Sequence, residues 1–325
     1  AFVVVFYTLT GGFMAVCWTD FIQGIMMFFA IVIVPAFAMH VMGGVETSLN
    51  AIDIVNPTFF NPFMNPDGST ISFIAFISLM GWGLGYFGQP HILVRFMAIS
   101  STSELKRSKR IAVGWYSISM IAAVFVGMVG NVYLTEPLNG PDVEKVLLVM
   151  TEKLFDPFVG GLILSAVLAA IMSTASSQLL VAASAFSQDF YRSVIRQDAS
   201  HTELVWVSRA AVLIISAMAI SLAMNPNSFI LEMVAYAWAG FAATFGPAVL
   251  MSLFWRRTTR NGVLAGIVVG GVTVLVWKQL ALFGLYEIIP GFFFGLLAIY
   301  IVSLLDKEPS KEITDLFDAV EHSNI

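Results

Sequence analysis

The sequence predicts an all-α polytopic membrane protein, and three observations carry that reading. Hydrophobic residues fill 58% of the 325 positions, before 25 glycines are counted. Charged residues make up 11%, under half the roughly 25% of an ordinary soluble domain. Stretches free of Asp, Glu, Lys and Arg recur at lengths near the about 20 residues that a helix needs to cross a bilayer. A soluble fold of this size could not cover so much apolar surface. That composition excludes a soluble enzyme, a nucleic-acid binder and a disordered chain. The net charge of −5 says little, because in a bilayer the distribution of charge outweighs its sum. The single cysteine, Cys17, forms no internal disulfide, and no Cys/His cluster has metal-ligand spacing. His-Glu-x-x-His, Gly-x-Ser-x-Gly and phosphate-loop motifs are missing, so neither an enzyme nor an organic cofactor is expected. The chain opens on Ala1 inside an apolar stretch without a basic leader, so no cleavable signal peptide is expected.

Nine apolar stretches are the expected spans: 1–19, 21–45, 68–94, 111–135, 157–188, 210–231, 233–255, 261–277 and 288–305. Gly11-Gly12 ends the first helix early, and Asn225-Pro226-Asn227-Ser228 turns the chain between the sixth and seventh. The fifth, at 1.5 Å per residue, extends about 48 Å and must tilt or project. The connections alternate in charge. Thirteen basic residues, from Arg95 to Lys311, fall on one set of connections; only Lys145, Lys153 and Lys278 fall on the other. By the positive-inside rule the first set is cytoplasmic, and so is the C-terminus. Residues 1–305 then form the membrane domain and 306–325 a short, acidic, solvated tail. Of the outer loops, 46–69 reads as a turn-rich cap with three Asn-Pro pairs. Residues 143–155 read as an amphipathic helix on the outer surface.

Two spans depart from regular helix. The third contains Gly81-Trp82-Gly83-Leu84-Gly85-Tyr86-Phe87-Gly88-Gln89-Pro90-His91. Four glycines at about 1 kcal/mol each and one proline at about 3 penalise a helix there by roughly 7 kcal/mol. Bilayers tolerate broken backbone only where it is buried in protein or lines a cavity, and such a break points to a solute site. Trp82, Tyr86 and Pro90 recur at i, i+4 and i+8, which would put them on one face beside the break. The competing reading makes Gly81-x-x-x-Gly85 a small-residue packing motif.

In the fifth span Ala166, Ala170, Ser173, Thr174 and Ser177 share one small, hydroxyl-lined face. Hydroxyls beside a free carbonyl suit a small hard cation. On spacing alone close helix packing, with hydroxyls bonding back along their own helix, is favoured. Asp20 is the only acid in the first 45 residues. Asp20-x-x-Gln23 has capping-box spacing, and an acid at a membrane interface also suits a cation path; the two roles are compatible.

The third-span motif, followed by Arg95-Phe96-Met97-Ala98, resembles the signature stretch of bacterial sodium/proline symporters in the sodium/solute symporter family. Gly11-Gly12-Phe13-Met14-Ala15-Val16-Cys17-Trp18-Thr19-Asp20, Leu168-Ala169-Ala170-Ile171-Met172-Ser173-Thr174, Tyr236-Ala237-Trp238-Ala239-Gly240-Phe241 and the run from Trp277 to Gly291 are similar as well. The resemblance implies the C-terminal part of a LeuT-like inverted-repeat transporter, discontinuous at about 81–90, lacking the first repeat's leading helices. It implies Na⁺-coupled uptake of L-proline by alternating access across a bacterial inner membrane. It places proline at Trp82, Tyr86 and Pro90, and Na⁺ at the Ala170 carbonyl and the Ser173 and Thr174 hydroxyls. Asp20 is implied to handle Na⁺ on the cytoplasmic side. Expected partners are proline, Na⁺ and the bilayer, with no nucleic acid and no obligate protein. The alternatives are symport of another small carboxylate such as pantothenate, a membrane sensor, or an inactive fragment.

Overall fold

The computed structural model of the chain describes residues 2–224 and 230–322, so the turn expected at 225–228 lies outside the described residues. The α-helices are α1 (Phe2–Val41), α2 (Val45–Val55), α3 (Phe73–Gly81), α4 (Pro90–Met97), α5 (Thr102–Tyr133) and α6 (Val146–Leu154). After them come α7 (Pro157–Ser184), α8 (His201–Ala223), α9 (Ile230–Phe254), α10 (Arg260–Leu280), α11 (Ile288–Leu305) and α12 (Lys311–His322). Among the described residues, seven helices are long and apolar enough to cross a membrane. The protein is a multi-pass, all-helical membrane chain.

Seven is fewer than nine for two local reasons. Stretches 1–19 and 21–45 share α1 with no break between them; the break falls at Gly12 (φ 59°, ψ −160°), where the backbone leaves helical geometry, so Gly11-Gly12 does end the first helical segment early. Only glycine adopts that φ without strain, so the bend sits there rather than at the acid eight residues later. Asp20 therefore lies inside a helix and caps none; its carboxylate accepts the Ser177 hydroxyl at 2.9 Å. Stretch 68–94 divides into α3, a 3₁₀ segment Trp82–Phe87 and α4, none of them long enough to span. The fifth stretch, by contrast, is longer than its charge-free length. α7 passes into a π-helical segment, Ala185–Ile195, and the two form one apolar run from Pro157.

The chain forms two compact units. The first comprises residues 1–68 and 108–227. Its core joins Val34 and Ala38 of α1, Ile52 of α2, Val126 and Val129 of α5, Met150 of α6, and Ile163 and Ala166 of α7. The 143–155 stretch thus turns its apolar face into protein, with Met150 fully buried. The 46–69 cap contains α2 as well as turns. Asn56 organises it by accepting the Thr58 N–H at 3.0 Å and donating to the Pro66 carbonyl at 2.8 Å. Asp156 caps α7 by accepting the N–H groups of Phe158 and Val159, with Pro157 in the first turn.

The second unit comprises residues 69–107 and 228–325. Here α9, α10 and α11 pack backbone against backbone through small residues. A Cβ on Gly270 of α10 would lie 2.1 Å from the Ala243 carbonyl oxygen of α9; one on Gly266 would lie 2.9 Å from the Gly295 carbonyl oxygen of α11. Lipid supplies no hydrophobic drive to pair helices, so this close approach is the source of cohesion. The tail carries α12 (Lys311–His322). Arg256 holds α12 through two hydrogen bonds to the Asp318 carboxylate, at 2.7 and 2.8 Å.

Gly270→Ala should lower the thermal midpoint of the purified protein in detergent, by the about 1–3 kcal/mol typical of overpacking. Gly271→Ala, whose Cβ would meet only Thr244 at 3.4 Å, should leave it near the parent value. Equal midpoints would refute this packing account.

Candidate functional site

The broken segment is set by local sequence. Ser72 caps α3 by accepting the Ala75 N–H at 3.1 Å, and an apolar helix follows as far as Gly81. From Trp82 to Phe87 the winding tightens to three residues per turn, and Gly88 and Gln89 leave the helix. Pro90 then restarts it at the first turn of α4, where its missing N–H is no loss. The break expected at 81–90 is present. Pro90 lies beyond the break, and three-residue winding precedes it, so the i, i+4, i+8 face does not extend through this stretch.

Trp82 and Tyr86 do meet, on a side chain that sequence reasoning passed over. Trp238 of α9 stacks on Trp82, with ring centroids 5.4 Å apart and planes 13° from parallel. Tyr86 meets the same indole edge-on at 5.1 Å. The Trp238 Nε1–H donates to the Trp82 carbonyl at 3.0 Å. On the far side of the segment, buried Gln89 donates from Nε2 to the Trp238 carbonyl at 3.4 Å. The glycines permit this. A Cβ on Gly85 would fall 1.6 Å from Trp238 Nε1, and one on Gly88 would fall 2.3 Å from the Phe241 carbonyl oxygen. The packing and break readings of these glycines are therefore both true. Tyr286 ties in a further element: its N–H donates to the Ser78 hydroxyl at 3.1 Å and its O–H to the Ala235 carbonyl at 2.6 Å. Burial, and next the Glu287 charge, push the Tyr286 phenol well above its ordinary pKa, so it stays a neutral donor.

The second group of candidates belongs to the first unit. On α7 the Ala170 carbonyl accepts the Ser173 hydroxyl at 2.9 Å and the Thr174 hydroxyl at 3.2 Å. Three oxygens thus cluster on one turn, in the back-bonded arrangement of the packing reading. Ser173 is half-buried and Thr174 exposed. One turn on, buried Ser176 donates to the Ser173 carbonyl at 3.0 Å, and Ser177 donates to Asp20 of α1. Tyr7 of α1 donates to the Met172 carbonyl at 3.2 Å. Asp20 is thereby fixed to the helix that carries Ala170, Ser173 and Thr174.

Comparison with known proteins gives the family and the fold. A family model described as "Sodium:solute symporter family" matches residues 1–270. The chain is 48% identical to the "High-affinity proline transporter PutP" of Bacillus subtilis (strain 168), over 97% of this chain and 66% of that protein. It is 46% identical to the "Sodium/proline symporter" of Escherichia coli (strain K12), over 98% of this chain and 64% of that protein. The chain thus spans slightly less than two-thirds of the length of these curated relatives. Among solved structures, a Na⁺-coupled sialic acid symporter in a substrate-bound outward-open state shares the fold. The TM-score is 0.74 at 20% identity, covering 95% of this chain and 66% of that one.

Gly85→Ala and Gly88→Ala should each lower the amount of folded protein recovered from the membrane severalfold, since the atoms in the way are a packed indole and a backbone carbonyl. Gly24→Ala, whose Cβ would have nothing within 4 Å, serves as the control. Control-level recovery of both variants would contradict the close-approach account.

Proposed function

The chain belongs to the sodium:solute symporter family, and on that premise we propose that it serves sodium-coupled uptake of L-proline by alternating access. Transport takes place across a bacterial cytoplasmic membrane, with the C-terminus on the cytoplasmic side. The observation that carries this reading is the likeness, along nearly the whole chain, to proteins named for proline and sodium. The site geometry supports it. Trp82 and Tyr86 offer aromatic surface to the pyrrolidine ring, and backbone at the Gly88–Gln89 break, with Pro90, lies beside the carboxylate. The Ala170 carbonyl and the Ser173 and Thr174 hydroxyls form an oxygen cluster for Na⁺. In binding, the two hydroxyl protons turn off the Ala170 carbonyl, and all three oxygens present lone pairs to the cation. Asp20, bonded to Ser177 one turn further along α7, receives the ion on its way inward.

Sodium binding raises proline affinity. Linkage requires proline to tighten sodium by the same factor.

Labelled proline uptake into proteoliposomes carrying the protein should rise steeply with an inward Na⁺ gradient; uptake indifferent to Na⁺ would end this reading. A competition panel of small carboxylates, pantothenate included, reports the solute. Trp82→Ala should raise the KM for proline at least about tenfold, by loss of aromatic contact worth roughly 1.4 kcal/mol or more. Ser173→Ala should weaken the apparent Na⁺ affinity by a similar factor. Unchanged constants in both variants would remove the site assignment and leave the transport reading standing.

A further inference from the structure

We infer that Trp238 is a positioning residue for the solute site: it clamps the broken segment from α9 and holds the Trp82 ring where solute meets it. The inference rests on the proposed proline site, and its geometry lies wholly within the second unit. Both polar ends of Trp238 are engaged, on opposite sides of the break. Its Nε1–H bonds the Trp82 carbonyl at the start of the 3₁₀ segment, and its own carbonyl receives Gln89 Nε2 just past the end. Between those two points Gly85 brings the backbone against the indole, closer than any side chain would permit. One face of Trp82 is covered by the stacked indole, which fixes the plane of the ring. Tyr86 is fixed against the indole edge, so a single residue orients both aromatic candidates.

A 3₁₀ turn has poorer hydrogen-bond geometry than an α-helix and does not hold its rotation without outside support. Gln89 is 3% exposed, so in this low-dielectric setting its amide bond to α9 is not replaced by water. Movement of α9 is accordingly passed to Trp82 through a stack and a hydrogen bond rather than through the chain. Ala239, Ala242 and Ala243 beside Trp238 are fully buried, which seats the clamp on a rigid stretch of α9.

The test uses the protein in proteoliposomes. Trp238→Phe keeps an aromatic ring and removes the N–H. It should raise the KM for proline about tenfold, with kcat and apparent Na⁺ affinity within about twofold of the parent. Because Trp238 acts through Trp82, Trp82→Phe combined with Trp238→Phe should be no worse than the more damaging single variant. An unchanged KM, or effects that multiply, would overturn the inference. Should Trp238→Phe fail to accumulate, Gln89→Leu releases only the other end of the clamp. A severalfold rise in KM then supports the inference, and none overturns it. A solute-free reading keeps this separate from the proline assignment. In a Cys17→Ser background, the thiol introduced by Gly83→Cys should react with a maleimide severalfold faster once Trp238→Phe is added. Equal rates would overturn the clamp whatever the transported solute proves to be. Faster reaction in a protein that fails to take up proline would sustain the clamp and end the proline reading alone.

Discussion

The constraint on which the rest depends is that backbone polar groups inside a bilayer must be satisfied by protein. A helix satisfies its own groups; a break does not. Residues 82–89 leave regular α-helix, so a neighbouring element has to supply partners for them. That element is α9: the Trp238 indole N–H satisfies the Trp82 backbone carbonyl, and the Trp238 carbonyl holds the Gln89 side-chain amide. Two of the segment's glycines follow from this, because partners reach the backbone only where no side chain intervenes. Gly85 and Gly88 have ordinary negative φ, so they are present for proximity and not for an unusual turn.

The same logic runs through the second unit. α9, α10 and α11 approach at glycine and alanine positions, where van der Waals contact replaces the hydrophobic drive available in water. A close-packed frame of this kind gives Trp238 a fixed seat. In the first unit the cohesive role is shared by larger side chains, Met150 and Ile52 among them, and by polar bonds between α1 and α7. The bond between Asp20 and Ser177 helps to make an acid tolerable within α1, because it gives the carboxylate a hydrogen-bond donor.

Several features were plain from residues alone. Composition identified the membrane class, and charge-free runs located most helices. The glycines with Pro90 marked the broken stretch. Three features were not plain. Two apolar runs share α1 because the helical break falls at Gly12, inside the first run, and not at the acid between them. Asp20 looked like a cap because its neighbours have capping spacing, yet its partner is 157 positions away. Trp238 was noticed only as part of a stretch similar to a family, since its contact with Trp82 spans 156 positions. Periodicity describes neighbours along a helix and is blind to such pairs.

By itself, then, the sequence determined what short-range chemistry controls: which segments are apolar enough to span, where helix propensity collapses, and which side chains carry oxygen or aromatic surface. The fold alone decided which of those groups touch. It put Asp20 on Ser177, and two aromatic rings on the single indole of Trp238. The physical reason is that these contacts form across helices, where distance along the chain carries no information and the packing of small residues sets every separation.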